Sequence, residues 1–268
     1  MTGKDIVLIT GANQGIGFEA VKALIASSVS YHVLLCGRSL ERAKEAVESL
    51  QSAYPDSDST IEALQVDITD DDSISNLFSQ VQSSYGKIDV LINNAGASFD
   101  HEVAAGNLTI REAWNKAYDV NVSGTQVMTH TFMPLLIKSS NPRLLFVTSG
   151  LSSLSRASDP DSPRYTVPPA GWPKPPGPSF IAYRSSKTAL NMLMLDWARI
   201  LKNDGVKVWC ISPGFLATNL GENREMLKKL GAGEPSIGGE FIRDVVQGKQ
   251  DEHVGKVVSS FGDGLQPW

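Results

Sequence analysis

With 268 residues, of which 41% are hydrophobic and 20% charged, the chain can build one substantial core, which excludes wholesale disorder. A formal net charge of −5 excludes a broad basic face for nucleic-acid phosphates. The N-terminal residues lack a signal-peptide layout, no apolar run approaches the roughly 20 residues needed to span a bilayer, and the two cysteines, Cys36 and Cys210, fall in apolar runs. The expectation is a cytoplasmic protein with reduced core thiols and neither a membrane nor a nucleic-acid partner.

Short β-branched runs alternate with longer amphipathic segments. The pattern predicts strands near 5–10, 32–36, 61–66, 88–92, 143–148, 206–211 and 256–260, and helices near 15–27, 39–53, 71–85, 111–138, 181–203 and 236–247. That alternation describes an α/β fold: a doubly wound parallel sheet with helices on both faces, forming a single Rossmann-type domain over residues 1–268.

The first strand runs into Gly11-Ala12-Asn13-Gln14-Gly15-Ile16-Gly17, which opens the first helix. Glycines there let the backbone turn and approach a pyrophosphate, while free N–H groups at the helix start attract the anion. A tight structural turn would use the same residues. The second strand ends at Cys36-Gly37-Arg38, with no carboxylate for the ribose hydroxyls of NAD. Arg38 instead suits a 2′-phosphate, with Asn13 as a second donor, so the expected cofactor is NADP(H). A surface arginine that merely precedes a helix is the plainer alternative.

In the second helix Ala43, Ala46, Val47 and Leu50 mark the buried face, and Glu41, Lys44, Glu45 and Glu48 the solvated one. Asp70 is placed as N-cap of the third helix, ahead of Asp71 and Asp72. His101, His130 and His253 have no ligand-spaced partners, which argues against a metal. Prolines 163, 168, 169, 173, 175, 176 and 178 mark 151–180 as a proline-rich surface insertion. Tyr165, Trp172 and Phe180 within it could either wall a pocket entrance or anchor the loop by burial.

Tyr183 and Lys187 stand four residues apart, on one helical face. A phenol with a pKa of about 10 is a weak acid, and a neighbouring ammonium stabilises its phenolate. A plain amphipathic pair has the same spacing. Met192 and Met194 on this helix read as core filler. Residues 215–240, rich in glycine and polar groups, are expected to form a substrate loop or lid; Met226, Leu227 and Leu230 could line it or pack a short helix. The final Gln266-Pro267-Trp268 could fold back over the body.

Taken together, Thr10 to Gly17, Asn93-Asn94-Ala95-Gly96, Asn121, Ser149, Tyr183 with Lys187, and Pro213-Gly214 follow one another along nearly the whole chain. This set resembles the classical short-chain dehydrogenase/reductase family. The resemblance implies a catalytic group of Asn121, Ser149, Tyr183 and Lys187. Tyr183 would give a proton to the substrate oxygen and Ser149 would hydrogen-bond it; Thr148, Ser152 and Ser153 are rivals for that place. Lys187 would lower the tyrosine pKa and, with Tyr183, hold the nicotinamide ribose, and Asn121 would support a water in a proton relay.

By the same resemblance Asp67 and Ile68 would border the adenine, although Asp67 also suits a cap or turn. Asn93, Asn94, Ala95 and Gly96 would line the cofactor, and Pro213, Gly214 and Thr218 would touch its nicotinamide amide. The wide separation of Ser149 from Tyr183, which the insertion fills, is similar to that of carbonyl-reductase-like members and leans towards a monomer. The expected activity is NADPH-dependent reduction of a small-molecule ketone, aldehyde or quinone carbonyl. The alternative from another class is a catalytically silent NADP(H)-binding sensor or non-redox scaffold.

Overall fold

A computed structural model describes residues 3–162, 165–174, 180–221 and 224–268. Pro163, Pro175, Pro176 and Pro178 of the insertion, and the first two residues, lie outside them. In chain order the elements are β1 (Asp5–Ile9), α1 (Gly15–Ile25), β2 (Tyr31–Gly37), α2 (Leu40–Ala53), β3 (Thr60–Gln65), α3 (Asp71–Tyr85), β4 (Val90–Asn93), α4 (Asp100–Ala104), α5 (Ile110–Tyr118), α6 (Thr125–Leu136), β5 (Arg143–Val147), α7 (Leu154–Ser158), α8 (Ile181–Ile200), β6 (Lys207–Ser212), α9 (Arg224–Lys229), α10 (Pro235–Val246) and β7 (Val257–Ser259).

All strands pair in parallel in the order β3-β2-β1-β4-β5-β6-β7. The order reverses between β1 and β4, and ligands of such sheets bind at the carboxyl ends of the strands flanking that point. Strand periodicity divides the core into two layers. Leu8, Leu34, Leu91, Leu144, Phe146 and Cys210 face α3, α6 and α8, where Leu77, Phe132 and Met194 meet them. Val7, Ile9, Val33, Ile92, Leu145 and Trp209 face the other way, towards Val21 and Leu24 of α1, Val47 and Leu50 of α2 and Ile242 and Val245 of α10. Because both faces are covered, the central strands read as unbroken apolar runs. Helix α10 crosses α1 closely at Gly239, where a Cβ would stand 2.4 Å from the Glu19 backbone.

The single helix expected over 111–138 is interrupted. Between α5 and α6, Asp119–Gly124 forms a π-helical turn, a device that inserts a residue and re-aims side chains, often at functional sites. A Cβ at Gly124 would fall 2.1 Å from the Ile68 carbonyl, so this turn presses on the loop after β3. Helices α4 and α7, of five residues each, are too short to leave a periodic trace and were not expected, whereas α9, of six, is the short helix that Met226 and Leu227 allowed for. Asp70 caps α3 through the Asp72 and Ser73 N–H groups, and both cysteines are buried free thiols, as expected.

Candidate active site

At the end of β1 the chain turns through Gly11 and Gly15, with φ of +62° and +61°, values that L side chains rarely adopt. A Cβ at Gly11 would stand 2.9 Å from the Ala95 Cα, and one at Gly17 2.4 Å from the Asn94 amide; at Gly15 the space is open. So Gly11 and Gly17 permit close packing, while Gly15 leaves the loop accessible. The N-cap of α1, Gln14, supplies no side-chain hydrogen bond, which leaves the first N–H groups free to meet an anion. Ile16 leans on the core beneath α1. The loop thus fits the pyrophosphate of a dinucleotide on its own geometry.

Thr10 and Asn94 fasten this loop to the end of β4. Thr10 Oγ1 accepts from the Asn94 and Ala95 N–H groups, each at 3.1 Å, and Asn94 Nδ2 donates to the carbonyls of Thr10 at 2.9 Å and Gly11 at 3.0 Å. Asn94 therefore spends its amide on the scaffold, and the Asn93 amide donates to Thr129 Oγ1 at 3.0 Å. Ala95 and Gly96 follow them out of the strand. At the end of β2 a Cβ on Gly37 would meet Asn13 Oδ1 at 2.9 Å, so Asn13 lies over the strand end beside Arg38. Arg38 is exposed, and no hydrogen bond or ion pair holds its guanidinium among the described residues. Asn13, Gln14 and Arg42 border a groove of about 360 Å³; Arg42, one helical turn beyond Arg38, went unremarked in the sequence.

The other half of the site hangs on α8. Tyr183, Ser186 and Lys187 lie on its buried face. Burial pushes the Tyr183 phenol up to about 12, and a hydrogen bond with Ser149 pulls it part of the way back. Burial likewise depresses Lys187 to about 8. Lys187 Nζ donates to the Val147 carbonyl at 2.8 Å and lies 5.9 Å from the centre of the Tyr183 ring. Desolvation is the largest cause of the shift at both groups.

Ser149 follows β5, and its Oγ accepts from the Leu151 N–H at 3.2 Å, leaving its own proton to donate. Its rivals are committed elsewhere. Thr148 Oγ1 donates towards Asn191 Oδ1 at 2.7 Å, Ser152 Oγ donates to the Ser149 carbonyl at 2.7 Å, and Ser153 caps α7. Asn121, fully buried in the π-turn, accepts from the Ala97 N–H at 2.9 Å and donates to the Ala97 carbonyl at 2.8 Å and Ser186 Oγ at 2.9 Å. A Cβ on Gly96 would stand 3.0 Å from Lys187 Nζ and 3.1 Å from Asn121 Oδ1, so the loop after β4, the π-turn and α8 converge there.

Asp100 was missed in the sequence. Phe180, the N-cap of α8, offers no side-chain bond, and the buried Asp100 carboxylate takes its place, accepting from the Ala182 N–H at 2.9 Å and the Tyr183 N–H at 3.0 Å. No local pattern could have shown a cap supplied from 82 residues away.

Other expectations divide. Asp67 makes a turn rather than a helix cap, accepting from the Thr69 N–H at 3.0 Å and its hydroxyl at 2.8 Å. Ile68 buries its side chain in the core beneath α3 and α6. Pro213 is buried, and its carbonyl accepts from Ser260 Oγ at 2.7 Å; Gly214, at φ +101°, lies under the Phe261 ring. Thr218 stands half-buried just beyond. Trp172 is 87% exposed and Tyr165 and Phe180 are exposed as well, so none anchors the insertion by burial. Met194 is core, but Met192 points to solvent; Met226 is exposed on α9, which buries no residue, and Leu230 is exposed just beyond it. Among the described residues no cluster could hold a metal ion, and no helix is long and apolar enough to cross a membrane.

The profile of the short chain dehydrogenase family matches residues 5–160 and 171–228. The chain belongs to the short-chain dehydrogenase family. It is 50% identical to the short-chain dehydrogenase/reductase eupG of Phoma sp over 99% of this chain and 98% of that one. With tropE of Talaromyces stipitatus, described in the same words, it shares 49% over 100% and 99%. Its fold resembles that of an NADPH-bound carbonyl reductase from chicken fatty liver, with a TM-score of 0.77, 24% identity and 99% of both chains covered. It also resembles RhlG of Pseudomonas aeruginosa in an NADP active-site complex, with a TM-score of 0.76, 21% identity and coverage of 97% and 95%. As a short-chain dehydrogenase it is an oxidoreductase that uses a nicotinamide cofactor and acts on small molecules.

Proposed function

We propose that this short-chain dehydrogenase is a cytoplasmic NADPH-dependent reductase that converts a ketone, aldehyde or quinone carbonyl to the alcohol. The observation that carries the reading is the meeting of Tyr183, Ser149 and Lys187 beside the loop after β4. The nicotinamide cofactor, when bound, would supply the hydride for the carbonyl carbon. Tyr183, whose burial keeps it protonated at neutral pH, donates its proton to the carbonyl oxygen. A phenol held at about 12 is almost wholly protonated at neutral pH, so the proton that reduction needs is in place. Ser149 donates a hydrogen bond to the same oxygen. Lys187, charged below about pH 8, stabilises the phenolate left behind. Asn121 holds the loop after β4 against α8, the place from which the resemblance has it support a water in a proton relay.

The glycine loop with Gly11, Asn13, Gln14, Gly15, Ile16 and Gly17 would hold the pyrophosphate, and Lys187 with Tyr183 the ribose next to nicotinamide. Asp67 would border the adenine with the main chain of Ile68; Ala95, Gly96, Pro213, Gly214 and Thr218 would flank the nicotinamide half, with Asn94 behind them. The preference for NADPH rests on the exposed Arg38 beside Asn13, unpaired among the described residues, the nearby groove that Asn13, Gln14 and Arg42 line, and the lack of a carboxylate at the end of β2. The NADPH and NADP complexes of the two similar structures point the same way. Residues 215–240 form the substrate lid, with the Leu216–Gly233 bridge at its base, and the exposed aromatics of 151–180 shape the entrance. The test is NADPH consumption against a panel of ketones, aldehydes and quinones, with Tyr183→Phe as control. Turnover by the native chain that Tyr183→Phe abolishes supports the reading, and cofactor binding without turnover across the panel defeats it.

A further inference from the structure

Beyond β7 the chain doubles back. Leu265 forms an antiparallel bridge with Val258, and the Gln266 N–H donates to the Val257 carbonyl at 2.9 Å. This return buries Gln266 behind the turn that carries Ser149. Gln266 Nε2 donates to the Ser149 carbonyl at 3.2 Å and to Ser152 Oγ at 3.1 Å. The Trp268 carbonyl accepts from Ser153 Oγ at 3.3 Å and from the Ser155 N–H.

Polar satisfaction does not explain Gln266. The Ser149 carbonyl already accepts from the Ser152 N–H at 3.0 Å and from Ser152 Oγ at 2.7 Å. Ser152 Oγ already accepts from Asn191 Nδ2 at 2.9 Å. Gln266 Oε1, for its part, is buried with no partner among the described residues, a standing cost that an apolar side chain of the same size would avoid. What the amide adds is direction. The bonds between Ser149 and Ser152 lie within one turn and move with it, whereas Thr188 Oγ1 and Asn191 Nδ2 tie Ser152 to α8. Gln266 supplies the tie from the segment beyond β7. Ser149 is thus held between two elements far apart in sequence, the rigid support that a catalytic hydroxyl requires.

We propose that Gln266 is a positioning residue, fixing the turn after β5 so that the Ser149 hydroxyl meets the substrate oxygen beside Tyr183. The proposal rests on the assignment of Ser149 made above. Gln266→Leu keeps the volume and removes both the donors and the orphaned acceptor. Steady-state reduction by NADPH, the pH profile of the reverse alcohol oxidation and thermal melting are measured for the native chain, Gln266→Leu and Ser149→Ala. The expected result for Gln266→Leu is a roughly tenfold fall in kcat, an unchanged KM for NADPH, and melting within a few degrees of native. The limb over which oxidation rises with pH, set by ionisation of the phenol, also moves to higher pH, because a displaced Ser149 no longer pulls the phenol down. Native kcat in Gln266→Leu, with Ser149→Ala inactive, overturns the proposal alone. So does a loss of activity that only follows a loss of melting temperature, with the pH limb unmoved. Native activity in Ser149→Ala removes the underlying assignment and the proposal with it.

Discussion

Replacing Asp100 by alanine tests the link between the loop after β4 and the catalytic helix. Its carboxylate accepts from two buried N–H groups, at 2.9 and 3.0 Å, at the start of a 20-residue helix that has no other side-chain cap among the described residues. Hydrogen bonds to a charged group contribute about 1.5–3 kcal/mol each, and loss of a cap costs about 0.5–2 kcal/mol. The two measures describe one interaction, and part of the gain is offset by desolvating the carboxylate, so the net loss is about 2–4 kcal/mol. At roughly 2–4 °C per kcal/mol for chains of this size, melting falls by on the order of 10 °C. Asp100→Asn, which keeps one acceptor, falls by about half as much. Differential scanning fluorimetry with matched urea titrations reads both. The N–H of Tyr183 is one of the two groups released, so kcat falls in the same order. Melting of Asp100→Ala within about 2 °C of native would refute the capping argument, since that is under 1 kcal/mol.

Three further outcomes are expected. Tyr183→Phe loses about 10²–10⁴-fold in kcat while still binding NADPH, followed by its fluorescence, with an affinity reduced by about tenfold or less for the one ribose hydrogen bond removed. The value of kcat/KM for reduction falls as pH rises through about 8, where Lys187 loses its charge; Lys187→Arg moves that limb upward, and a flat profile to pH values well above it would contradict the role given to Lys187. Arg38→Asp weakens NADPH binding on the order of a hundredfold, from the loss of charge-assisted bonds, and NADH binding by about threefold or less; equal losses in calorimetric titrations would remove the phosphate contact.

The architecture was legible because its determinants are local. Val7, Ile9, Leu91 and Leu145 sit in apolar runs that only a doubly covered sheet accommodates, and Ala43, Ala46, Val47 and Leu50 recur at helical spacing. Gly11 to Gly17 carried weight because they follow a strand and open a helix. Asn121, Ser149, Tyr183 and Lys187 were nameable only as a set in order along the chain. What the sequence hid is long-range or small. Asp100 and Gln266 act on residues 82 and 117 positions away, and the π-turn at Asp119–Gly124 has helical periodicity on both sides of it. Spacing places Lys187 beside Tyr183, but the burial that dominates both pKa shifts depends on the whole fold and leaves no local pattern.

The central claim is that hydride delivery is coupled to proton donation from Tyr183. Single-turnover reduction with NADPH deuterated at C4 of the nicotinamide tests it most directly. The native chain should yield alcohol with deuterium on the carbinol carbon, and Tyr183→Phe, with cofactor bound, should yield almost none in the same interval. Deuterated alcohol formed by Tyr183→Phe at the native rate would contradict the claim.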